Sequence, residues 1–292
     1  MFHLFARTEP PKQRKPLHSL VWHGYSLTWF TYIFDCLWPT ERENLQLRPL
    51  CKLFSKALKP LPCWTSYPHP GYTLRGFLNR FNELSESGST NIPKLVLIDN
   101  GTHNEGGDYV NITTPISIVG ESRDHCIVLG GLETRGKKED DVNVSNLTLQ
   151  NSKNDGVCVS NGASVHLDNV SVKNSEGYGV FVRGTKRSTM KNCNVSYSEE
   201  SGLCVVGGGL MTIDGQDTTI HHNCTDESYW NYGLDTDDSS SIQLVSPLTK
   251  EMISTDNGGG GNYGGQGTIV LTTIGLCPKT NDFRSDIKKK TF

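Results

Sequence analysis

The chain has 292 residues, a net charge of −3, 35% hydrophobic residues and 30 glycines. That length fills one large domain or two modest ones, and the charge lacks the basic footprint of a nucleic-acid binder. No run of ~18 apolar residues is present to cross a membrane as a helix, and a mean hydropathy of −0.43 is polar for packed helices.

Residues 1–28 carry prolines and charges where a signal peptide needs its apolar segment, and read as poorly structured. The nine cysteines, Cys36, Cys51, Cys63, Cys126, Cys158, Cys193, Cys204, Cys224 and Cys277, are odd in number. They contain no CxxC pair and no zinc spacing. Unpaired cysteines without a leader point to an intracellular protein, cytoplasmic or nuclear. Glycosylation sequons pull the other way, among them those beginning at Asn111, Asn143, Asn146, Asn169, Asn194 and Asn223. Four of these lie inside a repeat that calls for Asn at turns and Ser or Thr in strands anyway.

Across residues 29–70 apolar residues cluster in helical register: Ile33, Phe34 and Leu37, then Leu45, Leu50, Leu53, Phe54 and Leu58. Pro39 and Pro49 divide them into short helices. The order IFxxL, an acidic spacer, LxxLCKLF and a Trp resembles the F-box, carried here by Ile33, Phe34, Leu37, Leu50, Cys51, Phe54 and Trp64. The resemblance implies docking to a Skp-family adaptor of a cullin-type ubiquitin ligase. The same register also fits a helical bundle that only covers one end of the next domain. Residues 71–90 form a cap and linker. Within YTLRGFLNRFNEL, Leu74, Phe77, Leu78, Phe81 and Leu84 share a helix face, Thr73 is the N-cap, and SESGST ends the helix.

Residues 91–275 contain a repeat. LQNSKNDGVCVSNG, VKNSEGYGVFVRGT and VSYSEESGLCVVGG follow one another at 23-residue steps. Asn146, Asn169 and Asn192 keep that step, as do Gly156, Gly179 and Gly202. The fourth copy stretches, placing Gly233 31 residues after Gly202, with the extra residues near CTDESYWN. Each lap holds short alternating runs such as VHL, NVSV and GVFV, divided by Asn, Gly and Ser. Three short strands per lap describe an all-β solenoid, a single-stranded right-handed parallel β-helix of about seven coils from Lys94 onward. In such a stack Val157, Val180 and Leu203 form one inward row, and Val159, Val182 and Val205 the next. Asn151 and Asn174 stack at a turn, with Tyr197 breaking the row. The lap glycines are expected at positive φ where they enter the strand. These laps resemble the right-handed β-helix repeats of pectate-lyase-like and CASH-type proteins. Residues 276–292, ending FRSDIKKKTF, read as a basic solvated tail.

Many proteins of that resemblance act on acidic polysaccharides, which needs a base with nearby cations or converging carboxylates. No catalytic set and no cofactor motif emerges; GGGGNYGGQG lacks the GK[ST] of a phosphate loop. In LDTDDSS, Asp235 falls in the outward column of Cys158, Phe181 and Cys204, and the cluster reads as an acidic surface turn. His221 and His222, as strand neighbours, are expected on opposite faces, unable to share a metal ion. The outward residues Tyr178, Phe181, Arg183, Tyr232 and Asp235 form the candidate partner-binding face, since aromatics and Arg are enriched at interface centres. The sequence therefore reads as a non-catalytic protein-interaction scaffold, with a ubiquitin-ligase substrate receptor as its finer form. The alternative is a β-helix that binds or degrades an acidic glycan.

Overall fold

The computed structural model describes residues 64–68, 71–89, 92–137, 141–185 and 187–272. Ile33, Phe34, Leu37, Leu50 and Phe54, and the basic tail, lie outside the described residues. Within them the chain winds as a right-handed parallel β-solenoid of about eight turns. Every strand pair is parallel, because each strand lies beside its counterpart one lap earlier.

Three ladders run along the solenoid. The first has nine strands, from Trp64–Tyr67 and Leu95–Ile98 through Ser164–Asp168 to Ser241–Val245 and Thr268–Thr272. The second includes Thr148–Gln150, Ser171–Lys173, Asn194–Ser196 and Thr219–His221. The third includes Val157–Ser160, Val180–Arg183, Leu203–Val206 and Leu234–Thr236. Two early strands, Gly101–Ile112 and Cys126–Arg135, are long enough to serve both the second and third ladders. Trp64, the last residue of the F-box resemblance, stands in the first ladder, paired with Leu95. The solenoid therefore begins one strand before the first repeat-like segment that the sequence displays.

The inward rows are as the period requires. Val157 pairs with Val180, Val180 with Leu203 and Leu203 with Leu234, and all four are fully buried. Burial of each such side chain contributes about 1.5–3 kcal/mol relative to exposure. The stretched lap is absorbed without loss of register: Gly202 and Gly233 precede the paired Leu203 and Leu234, and residues 222–233 form the lengthened connection.

Asparagines, not the lap glycines, take the left-handed turns. Asn146, Asn169 and Asn192 have φ of 55°, 55° and 50°, and Asn151 and Asn174 have 55° and 54°. Their amides bond along the stack, Asn169 Nδ2 donating to Asn146 Oδ1 at 2.7 Å and Asn174 Nδ2 to Asn151 Oδ1 at 3.2 Å. Tyr197 and His222 continue the second column at φ of 60° and 55°. Gly156, Gly179, Gly202 and Gly233 are not at positive φ, which corrects the expectation for them. Their constraint is space. A Cβ on Gly179 would lie 2.3 Å from Val195 Cγ1 and 2.5 Å from the Gly202 carbonyl oxygen. Strand entry passes so close to the second ladder that no side chain fits.

The helix α1 (Leu74–Glu86) caps the first end. Thr73 accepts a hydrogen bond from Gly76 N at 3.1 Å, and Leu74, Phe77, Leu78 and Phe81 join the core of the solenoid. Leu84 is only half-buried, while the polar Asn82 is buried. Asn82 is satisfied because Nδ2 donates to Asn111 O at 2.8 Å and Oδ1 accepts from Thr113 N at 3.0 Å. Buried Glu105 accepts from Leu74 N and Arg75 N at 2.8 and 3.0 Å. Its carboxylate thus meets the free N–H groups and positive dipole end of the helix. Among the described residues no helix is long and apolar enough to cross a membrane.

Candidate functional site

The outer side of the third ladder holds the candidate face. Its strands alternate because successive side chains point to opposite sides. The outward column runs Glu133, Cys158, Phe181, Cys204, Asp235, and the next runs Arg135, Ser160, Arg183, Val206. Phe181 is half-buried, with the Tyr178 ring stacked on it at 5.1 Å between centroids and 18° between planes. Arg183 is exposed. Tyr232, just before the Leu234–Thr236 strand, is half-buried. Its ring occupies the space where Cβ atoms of Gly260 and Gly264 would stand, 2.4 and 2.3 Å away. The Tyr232 backbone N–H donates to Ser201 Oγ at 3.0 Å.

Asp155 is a residue of this face that strand alternation alone does not expose. It lies in the turn before the Gly156–Val157 strand entry and is half-buried. Its Oδ2 accepts from the Tyr109 hydroxyl at 2.9 Å and its Oδ1 from Tyr178 N at 3.0 Å; the Tyr109 oxygen in turn accepts from Asp155 N at 3.0 Å. Burial pushes its carboxyl above the usual range, partly offset by the Tyr109 and Tyr178 hydrogen bonds. The same burial raises Asp235, offset by the bond from Ser201 Oγ at 3.2 Å. Glu200 is also raised, by burial and by the nearby charges of Asp155, Asp226 and Glu199, and the Tyr178 hydroxyl bonds it. Near the start of the outward column Glu133 is buried and paired with exposed Arg135. The carboxylates of this face are therefore held by fixed structural partners.

LDTDDSS does not act as one unit. Asp235 belongs to the strand face. Asp237 turns to cap the next corner, accepting from Gly207 N at 2.6 Å and from Ser239 N and Oγ at 3.2 and 3.1 Å. Although burial opposes it, those bonds and one from Ser240 draw its carboxyl below the usual range. Asp238 is exposed. Among the described residues no three His, Cys, Asp or Glu side chains are grouped as metal ligands. Burial raises the Cys158 thiol to about 12 and moves Cys204 the same way, so neither supplies a thiolate near neutral pH.

His221 and His222 do not point apart as strand neighbours would. His221 ends its strand, and His222 turns into the left-handed region at φ 55°. Their Nδ1 atoms come within 2.8 Å, and Tyr197 stacks on His222 at 5.3 Å. The turn column, invisible to a strand-alternation rule, brings the rings together.

Two further aromatics stand on the connection that leads into the Leu234–Thr236 strand and lengthens the fourth lap. Tyr229 and Trp230 are 64% and 69% exposed, with centroids 4.1 Å apart. The inserted residues were legible in the sequence; their outward display was not.

Stacked parallel strands with fully buried aliphatic rows define a right-handed parallel β-solenoid, a fold that fits both a binding scaffold and a polysaccharide-acting β-helix. Residues 130–270 match the protein-family model described as "Right handed beta helix region". Neither the curated proteins nor the solved structures contain a match to the chain.

Proposed function

We propose that the protein is a non-catalytic interaction scaffold whose partner docks on the outer side of the third ladder, at Tyr178, Phe181, Arg183, Tyr232 and Asp235. The observation that carries this reading is the stacked Tyr178–Phe181 pair, fixed in register and bordered by the exposed Arg183. Rigid aromatics and Arg are the residue types that dominate interface energetics. The carboxylates argue in the same direction. A glycosidase needs two carboxyls free to face one bond, ~5–10 Å apart. Both oxygens of Asp155 are already taken by Tyr109 and Tyr178. The acidic balance of Glu133, Asp155, Glu200 and Asp235 against Arg135 and Arg183 also disfavours an acidic glycan through like-charge repulsion.

The finer proposal, a substrate receptor docked to a Skp-family adaptor through Ile33, Phe34, Leu37, Leu50 and Phe54, rests on the sequence resemblance. Affinity capture tests both parts. A partner retained by the full chain and lost with Phe181→Asp supports the scaffold. An adaptor lost with Leu50→Asp and Phe54→Asp supports the receptor. Release of unsaturated uronates from acidic glycans, abolished by Asp235→Ala, would overturn the non-catalytic reading.

A further inference from the structure

The connection between Thr219–His221 and Leu234–Thr236 is the one large interruption of the 23-residue period between Asn143 and Gln243, and it is tightly built. Asp226 Oδ1 accepts from Ser228 N at 3.1 Å, and the two oxygens accept from Asn231 Nδ2 at 3.3 and 3.1 Å. Asn231 N donates to Ser228 O at 3.0 Å, and Gly260 N to Asn231 O at 2.8 Å. Buried Asn231 thus pins the loop to the body of the solenoid and to the next lap. On this rigid base Tyr229 and Trp230 project into solvent against each other, tilted by 38°. Exposing two large aromatics contributes nothing to the core. Fixing their backbone in the loop removes part of the ordering cost that a partner would otherwise meet.

The same corner in earlier laps is acidic. Backbone bonds from Glu176 N to Ser152 O, Glu199 N to Ser175 O and Asp226 N to Glu199 O place Glu176, Glu199 and Asp226 at successive levels. Glu200 and Glu227 flank them, and Glu176, Glu199, Asp226 and Glu227 are all exposed. Lys153, one lap before Glu176, already lies 3.9 Å from Asp108. Like charges one strand spacing apart, ~4.8 Å, repel each other in the free protein. A cationic occupant relieves that repulsion, and a guanidinium or ammonium group gains further by lying over an indole or phenol face.

We infer that Tyr229 and Trp230, at the end of the Glu176–Glu199–Asp226 corner, anchor a lysine- or arginine-rich segment of a partner polypeptide. This rests on the scaffold reading and names the chemistry of its partner. Trp230 takes a cationic side chain on its ring, and Glu176 and Glu199 hold the neighbouring ones. An acidic glycan is repelled. A neutral glycan would stack on the ring without using the charge.

The test is fluorescence anisotropy with the full chain and two labelled peptides, one of alternating arginine and serine, the other with glutamine in place of arginine. The arginine peptide is expected to bind more tightly, and to weaken as salt rises. Trp230→Ala should weaken it about tenfold and Trp230→Phe much less, following the order of ring strengths in cation–π contacts. Glu176→Gln with Glu199→Gln should flatten the salt dependence. Equal binding of the two peptides, unchanged binding by Trp230→Ala, or displacement by a soluble neutral glucan each overturns the inference. Capture of a natural partner that is lost with Phe181→Asp yet kept with Trp230→Ala would leave the scaffold standing and remove only this anchor. Insensitivity to both variants removes both.

Discussion

Gly179→Ala isolates the constraint that shapes every lap. The added methyl carbon would lie 2.3 Å from Val195 Cγ1, 2.5 Å from Gly202 O and 2.9 Å from Ser198 Oγ. Ordinary carbon contacts are ~3.5–4.0 Å, so Val195 would have to retreat by more than ~1 Å. Val195 is fully buried and the carbonyl belongs to the adjacent rung, so neither has room to yield. Overpacking of this kind costs about 1–3 kcal/mol, and the rigid neighbours place Gly179→Ala near the top of that range, about 3 kcal/mol. With a urea dependence of about 3 kcal/mol per molar, the unfolding midpoint should fall by about 1 M. Gly184→Asn is the control. Gly184 has φ +69°, the nearest atom to its Cβ position is 3.7 Å away, and Asn161 occupies the same column one lap earlier at φ 59°. It should change stability by less than about 0.5 kcal/mol. Gly179→Asn should be at least as harmful as Gly179→Ala, because asparagine tolerates a left-handed dihedral but adds volume. A Gly179→Ala midpoint within error of wild type, or a rescue by asparagine at that position, would refute the space argument.

Asn169→Gly keeps the left-handed turn but loses the 2.7 Å bond to Asn146, and should cost about 1 kcal/mol in urea unfolding. Asn169→Val adds about 1–2 kcal/mol for the unfavourable dihedral, so the two variants should be clearly ordered. Asp155→Ala removes the acceptor for the Tyr109 hydroxyl and Tyr178 N–H and should cost about 3 kcal/mol, whereas Asp155→Asn keeps part of the network and should cost less. Equal losses in the two would show that the carboxylate is not the binding element there. His221 should titrate in NMR below its ordinary 6.5, since burial and the neighbouring His222 both oppose its charge. The unfolded chain therefore binds that proton more readily. The stability tied to neutral His221 is present above about pH 6.5 and is lost as pH falls toward the folded value, and His221→Gln should flatten this fall.

The columns of Val157, Val180 and Leu203, the asparagine pair Asn151–Asn174 and the cap face of Leu74, Phe77, Leu78 and Phe81 were all legible from spacing. The entry of Trp64 into the first ladder was not, because no repeat-like neighbour marks a strand whose partner, Leu95–Ile98, comes after a helix. Of the candidate face, the strand positions Phe181, Arg183 and Asp235 could be placed by counting in twos. Asp155 and Tyr109 could not, since they meet through a turn and lie 46 residues apart.

By itself the sequence determined the period, and the period determines which residues lie above one another: a side chain repeated at a constant interval must form a column once the laps stack. Only the tertiary structure decided what happens at the corners. There the backbone leaves the strand alternation, and the direction of a side chain depends on one dihedral and on the distance to the adjacent ladder. That is why the lap glycines prove to be constrained by space, why His221 and His222 converge, and why Tyr229 and Trp230 stand outside the solenoid.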